Sequence, residues 1–207
     1  MPTPLLIATS NPHKLEEIRA VLGPLGIACE SLESLSIAIP EPEETEPTFE
    51  ANALLKARWY ARKSGRTALA DDSGLAVDVL HGAPGIFSAR YAGVGSNREE
   101  RDAANNQKLL RALEGIDSQK RTARFVCALS IAEPDGRELA CARGTFDGII
   151  GFAPRGTNGF GYDPLLVLED GRTSAELAPS EKNERSHRGA ALRALARSIR
   201  DGLCACG

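Results

Sequence analysis

"PLLIATSNPHKLEEIRAVLG", residues 4–23, decides the fold class. Its first five residues form a short apolar run followed by polar ones, the mark of a buried strand. A helix follows at once. Asn11 is placed to cap it, Pro12 falls in the first turn, and Leu15, Ile18 and Leu22 recur at helical spacing before Gly23 stops it. A strand feeding directly into a capped helix points to a mixed helix-and-sheet protein.

The rest of the chain extends this pattern. Residues 40–47, "PEPEETEP", hold too many prolines for regular structure. "TFEANALLKARWYARKSG" (48–65) predicts a second helix, capped by Thr48 and stopped at Gly65. "TALAD" and "LAVDV" read as strands around Asp71 and Asp72, with a tight turn allowed at Ser73-Gly74. Residues 81–95 read as a loop, and Ser96 with Glu99 as a capping box opening a helix to about Leu113. "ARFVCALSIAEPDGRELACARGTFDGII" predicts a hairpin around Pro-Asp-Gly. A glycine-rich loop (151–164) precedes the apolar run "LLVL". "SHRGAALRALARSIRDG" predicts an amphipathic helix, with Leu192, Leu195 and Ile199 inward and Arg193, Arg197 and Arg200 solvated. The class is therefore α/β or α+β.

At 207 residues the chain can build one good core, or two lobes. A net charge of −3 carries no footprint for polymeric nucleic acid, although a local pocket can still be basic enough for a small anion. No apolar run reaches the roughly 20 residues that span a bilayer, so no membrane partner is expected. The N-terminus lacks the basic-then-apolar order of a signal peptide. Cysteines 29, 127, 141, 204 and 206 show no framework spacing, which suits a reducing cytoplasm. Cys204 and Cys206 read as idle thiols on a frayed tail, with metal binding or oxidation as the alternative.

Four polar stretches interrupt the apolar pattern. "TSNPHK" (9–14) is a strand-to-helix turn ending in lysine, where free N–H groups, the helix dipole and an ammonium suit a phosphate; an ordinary capped turn fits as well. Glu41, Glu43, Glu44 and Glu46 form an acidic loop, either solvated or a partner for Asp71 or Asp72 in a minimal Mg²⁺ site. Adjacent strand residues point to opposite faces, so the Asp71–Asp72 pair divides into one functional and one structural carboxylate, unless both merely serve a turn. In "GTNGFGYDP" (156–164), glycines flank Phe160 and leave an aromatic ring on an N–H-rich backbone. That arrangement suits stacking on a base, and equally a hairpin turn with a core phenylalanine. Downstream, "SEKNERSHRG" (180–189) contributes the donors Lys182, His187 and Arg188.

These stretches together resemble the inosine/xanthosine triphosphate pyrophosphatase family, the enzymes that cleanse the nucleotide pool. The resemblance rests on "ATSNPHKLEEI", "TFEANALLKA", "ADDSGLAVDVLHGAPGIFSARYAG", "GTNGFGYDPLL" and "EKNERSHRGAAL", in order over nearly the whole chain. It implies an α/β fold with a mixed elongated central sheet flanked by helices, two lobes around an active-site cleft, and one pyrophosphatase domain over 1–207. It implies Mg²⁺-dependent hydrolysis of ITP, dITP and XTP to the monophosphate and pyrophosphate, in the cytoplasm, by a homodimer.

Carried over by residue, Thr9, Ser10, Asn11, Pro12, His13 and Lys14 hold the triphosphate. Glu44 and Asp72 hold the metal, and Asp72 accepts the proton of the attacking water. Asp71 is the structural partner. Lys56 reaches phosphate and Ser73 touches substrate. Phe160 stacks on the purine, with Gly161, Tyr162 and Asp163 completing the pocket and Lys182, His187 and Arg188 at the base edge.

Two positions depart from the family. Ala51 stands where many relatives carry a second Glu, leaving that role absent or moved to Glu50. Asn158 replaces a common glycine, which is expected to stiffen the base loop. Two rival readings remain: a non-enzymatic nucleotide-binding regulator, which needs no Asp72, and a septum-formation-inhibitor-like pyrophosphatase, whose opening motif resembles Ser-x-Ser-Pro-Arg-Arg rather than "TSNPHK".

Overall fold

The computed structural model describes residues 4–201, so Cys204 and Cys206 lie outside the described residues. Strands β1 (Leu5–Ile7), β2 (Cys29–Ser31), β3 (Ala68–Val77), β4 (Thr122–Ala132), β5 (Glu138–Ile150) and β6 (Leu166–Val167) form one sheet in the order β2-β1-β3-β4-β5-β6. β1 runs parallel to both β2 and β3, whereas β5 and β6 are antiparallel, so the sheet is mixed. The helices are α1 (Pro12–Leu22), α2 (Phe49–Ser64), α3 (Arg98–Ala112), α4 (Pro179–Arg185) and α5 (His187–Asp201). The α/β class is as the opening stretch indicates.

The chain divides into two compact units, crossing between them after Asp72, Val126, Gly144 and Arg185. The first unit is layered. Leu5 and Ile7 of β1 pack with Ile18 and Leu22 of α1 and with Leu192 and Leu195 of α5. The alternate residues, Leu6 and Ala8, pack with Ala57, Tyr60 and Ala61 of α2. A strand covered on both faces must be apolar at every position, which explains the unbroken "LLIA". Asn11 caps α1 by accepting from the His13 N–H, and Thr48 caps α2 by accepting from the Ala51 N–H, both as expected. At Gly144 of β5 a side chain would meet the His187 carbonyl at 2.2 Å and the Ala191 N–H nitrogen at 2.6 Å, so α5 lies directly on the strand's backbone.

The second unit is built around Leu75, Leu109, Leu113, Phe125, Phe146 and Ile150, with Tyr162, Leu165 and Leu177 from later segments. Four expectations change. β3 is one continuous strand through Ser73-Gly74 rather than two strands and a turn. Leu69, Ala70, Leu75 and Val77 are all buried on its two sides, and that burial outweighs the turn chemistry of Ser-Gly. α3 starts one residue later than expected: Asn97 is the cap and accepts from the Glu100 N–H, while the Glu100 carboxylate accepts from the Ser96 N–H. The 81–95 segment contains a short 3-10 helix over Gly85–Arg90. Ile199 is exposed rather than inward.

Candidate active site

Strand geometry separates the two neighbouring carboxylates. Asp71 and Asp72 are both buried, at 4% and 5% exposure, yet they meet entirely different partners. Asp71 accepts from Lys14 Nζ, from Arg188 Nε at 2.8 Å and from the Cys127 thiol at 3.1 Å. Burial pushes its carboxyl pKa up, but the Arg188 and Lys14 cations outweigh that and hold it well below the usual carboxylate range. Asp71 is thus a fixed anion. It structures the site through ion pairs across elements, and not by capping a turn.

Asp72 Oδ1 accepts from Lys56 Nζ at 2.6 Å, and the same ammonium donates to Glu44 Oε1 at 3.0 Å. The other oxygen, Oδ2, is buried without a hydrogen-bond partner. Such an atom is costly unless something binds it. Burial raises the Asp72 carboxyl to about 6 against the pull of Lys56, and Glu44 adds to the rise. Burial works against the Lys56 charge, but Asp72 and Glu44 outweigh it and hold the ammonium above the ordinary lysine range.

Glu44 reaches this cluster because its loop is tied to α2. Asn52 accepts from the Glu46 N–H and donates to the Glu46 carbonyl, each at 3.1 Å, and Trp59 Nε1 donates to the Pro40 carbonyl. Asn52 and Trp59 were not singled out from sequence, since neither differs in type from an ordinary helix residue. Glu41 and Glu43 stay exposed. Glu50 pairs with Arg143 on the surface, so it does not replace the carboxylate missing at Ala51.

Among the described residues no three His, Cys, Asp or Glu side chains gather as a metal cage. Two carboxylates with one unpartnered oxygen nevertheless fit Mg²⁺, which keeps most of its shell for water and substrate phosphates. Thr9 to Lys14 lead from β1 into the first turn of α1: Thr9 Oγ1 accepts from the Asn11 N–H, and Ser10 and His13 are exposed. Ser73 follows Asp72 in β3, half-buried.

The second unit contains the aromatic loop. Asp163, 2% exposed, accepts from the Phe160 N–H at 2.7 Å, Ser174 Oγ at 2.7 Å and Lys182 Nζ at 2.6 Å. It is the knot of the loop. Gly159 has φ +80°, and a side chain there would stand 2.2 Å from Asp163 Oδ2 and 2.6 Å from Lys182 Nζ, so only glycine fits. Phe160 is half-buried, with Arg98 at 4.5 Å and Lys182 at 5.2 Å from its ring centroid. The Gly161 N–H donates to Asp102 at 2.9 Å. Asn158 ties the loop to the 175–177 segment: its backbone N–H donates to the Ala175 carbonyl, and its side-chain amide to the Leu177 carbonyl, a bond that glycine could not make.

Further expected site residues are buried, with partners of their own. Tyr162 is buried, and its hydroxyl donates to the Ser88 carbonyl at 2.9 Å, so it props the loop from the core. Arg188 is 1% exposed within the first unit, where it donates to Asp71 and Glu17, and His187 is buried in that unit too.

A family model described as the Ham1 family matches residues 5–198. A protein named dITP/XTP pyrophosphatase from Exiguobacterium sibiricum is 52% identical over 192 residues, covering 92% of this chain and 94% of that one. A protein of the same name from Bacillus licheniformis is 48% identical over 192 residues, covering 92% and 95%. Among solved structures, a HAM1 protein from Coxiella burnetii superposes with a TM-score of 0.84 at 42% identity, covering 96% of this chain and 98% of that one. The Staphylococcus aureus Ham1 protein does so with a TM-score of 0.81 at 35% identity, covering 96% and 99%. The chain belongs to the Ham1 family.

Proposed function

We propose that this protein hydrolyses nonstandard purine nucleoside triphosphates, ITP, dITP and XTP, to the monophosphate and pyrophosphate. The observation that carries this reading is the buried Asp72–Lys56–Glu44 cluster with its unpartnered Asp72 oxygen. The names of the similar proteins support the substrate class. Asp72 and Glu44 hold Mg²⁺, which when bound neutralises charge on the triphosphate. The turn into α1, from Thr9 to Lys14, holds the phosphates with the positive end of the helix dipole and the Lys14 ammonium. Lys56 orients both carboxylates. Asp72, with one buried oxygen left unpartnered, accepts the proton of the water attacking the α-phosphorus.

Phe160 stacks on the purine, and Lys182 donates to its 6-oxygen. Hypoxanthine and xanthine carry an acceptor there, whereas adenine carries an amino donor, which leaves the ammonium unmatched. The Phe160 and Gly161 N–H groups are already given to Asp163 and Asp102, so the backbone of the loop does not read the base at those positions. Cys29, Cys127 and Cys141 are thiols rather than disulfides, in keeping with a cytoplasmic setting. No helix among the described residues is long and apolar enough to cross a membrane. Both units serve this one reaction, and the protein works as a homodimer. Sedimentation at micromolar concentration showing only a 22.0 kDa species would refute the dimer.

The test is a panel of ITP, dITP, XTP, ATP and GTP with Mg²⁺, reading monophosphate and pyrophosphate. Pyrophosphate from the first three, abolished by chelation, is the expected result. Nucleotide binding without pyrophosphate release would point to a regulator instead.

A further inference from the structure

The loop that carries Phe160 does not hold its shape alone. Three side chains of α3 reach it, at spacing i, i+4 and i+8, which places them on one face of the helix. The Arg98 guanidinium lies over the Phe160 ring, 4.5 Å from its centroid. Asp102 accepts from the Gly161 N–H at 2.9 Å. Asn106 donates to the Gly161 carbonyl at 3.0 Å. Gly161 has φ +62°, and its N–H and C=O are both held by α3. The peptide before Phe160 is held as well, because the Phe160 N–H is given to Asp163. The aromatic residue is therefore clamped on both sides. The residue of α3 just before Asn106, Asn105, turns to a different loop: it accepts from the Ala92 N–H and donates to the Ser88 and Ala89 carbonyls.

We propose that α3 is the mount of the base platform. Asp102 and Asn106 are positioning residues that fix the orientation of Phe160, and Arg98 supports the ring. The inference rests on the reading of Phe160 as the stacking residue. A ring on a free glycine loop must be ordered when substrate binds, and that ordering subtracts from affinity. A ring already fixed loses nothing at that step. The mount acts on binding and not on the chemical step, so it moves KM and leaves kcat alone.

The experiment measures kcat and KM for ITP, and melting temperature, in the whole protein with Phe160→Ala, Asp102→Ala, Asp102→Asn and Asn106→Leu. Asp102→Ala is expected to raise KM by roughly 2- to 12-fold, the range one hydrogen bond covers, with kcat within about twofold of wild type. Asp102→Asn keeps an acceptor oxygen and should return most of the affinity. Asn106→Leu should repeat the KM effect. Its Oδ1 is buried without a partner, so this variant loses little else and serves if Asp102→Ala does not fold. An unchanged KM in Asp102→Ala and Asn106→Leu, alongside a raised KM in Phe160→Ala, overturns the mount and keeps the platform. A fall in kcat at constant KM also overturns it. An unchanged KM in Phe160→Ala overturns the platform reading itself.

Discussion

Asp71 and Asp72 show how much a one-residue step along a strand can change. One carboxylate is locked as an anion by two cations, and the other is left with an oxygen to spare. Asp72→Asn keeps the volume but removes the metal ligand and base of the proposed reaction. The expected outcome is a kcat lower by at least about 10²-fold with the melting temperature nearly kept. Asp71→Asn leaves Arg188 facing a neutral amide in a buried place. Breaking a pair of this kind costs about 3–5 kcal/mol, so denaturation should show the larger loss for this variant. Near-full activity in Asp72→Asn would reverse the assignment. That the two carboxylates face different partners was legible in sequence, because it follows from strand alternation. Their partners were not. Arg188 lies 117 residues from Asp71, and nothing local to "SHRG" marks it as the counter-ion of a strand on the other side of the sequence.

At the scale of elements, the local signals carried far. Asn11, Pro12, Thr48 and Gly65 bound their helices as read, since caps act on nearest neighbours. The reading failed where a tertiary term competes with a local one. Ser73-Gly74 resembles a turn, but a strand buried on two faces gains more by staying paired. At α3, Ser96 and Asn97 are both good caps, and Asn97 wins. Asn97→Ala should therefore cost about 1 kcal/mol by chemical denaturation, whereas Ser96→Ala should cost much less. In the base loop, Gly159→Ala puts a methyl group onto the Asp163–Lys182 pair and strains a left-handed backbone by about 1–2 kcal/mol. It should raise KM for ITP and XTP together, and an unchanged KM would show that the pair does not shape the pocket. The aromatic glycine loop was visible in sequence. Its attachment to α3 was not, because Arg98, Asp102 and Asn106 look like one solvated helix face until their spacing is matched to a loop some 60 residues on.

At the scale of the whole molecule, charge networks outside the site tune stability. Asp170 and Glu181 accept from Arg172 and Arg185, and those hydrogen bonds hold both carboxyls below their ordinary range. A carboxyl depressed in the folded state stabilises above its unfolded pKa, and that contribution is lost as pH falls through about 4 and below. Melting temperature should fall through this window. Arg172→Ala should flatten part of the slope, and high salt should flatten it too, since the groups are exposed. The division of the chain has a consequence in time. The segments of the second unit end at Arg185, whereas the first unit waits for Arg188 and α5. On a ribosome adding about 5–20 residues per second, Asp71 emerges several seconds or more before Arg188 exists. Until then Lys14 alone of its two cations is there to offset the charge. Vectorial synthesis therefore makes the first unit the last part of the nascent protein to become native, so a chain stalled before Arg188 leaves Asp71 with half of its pairing.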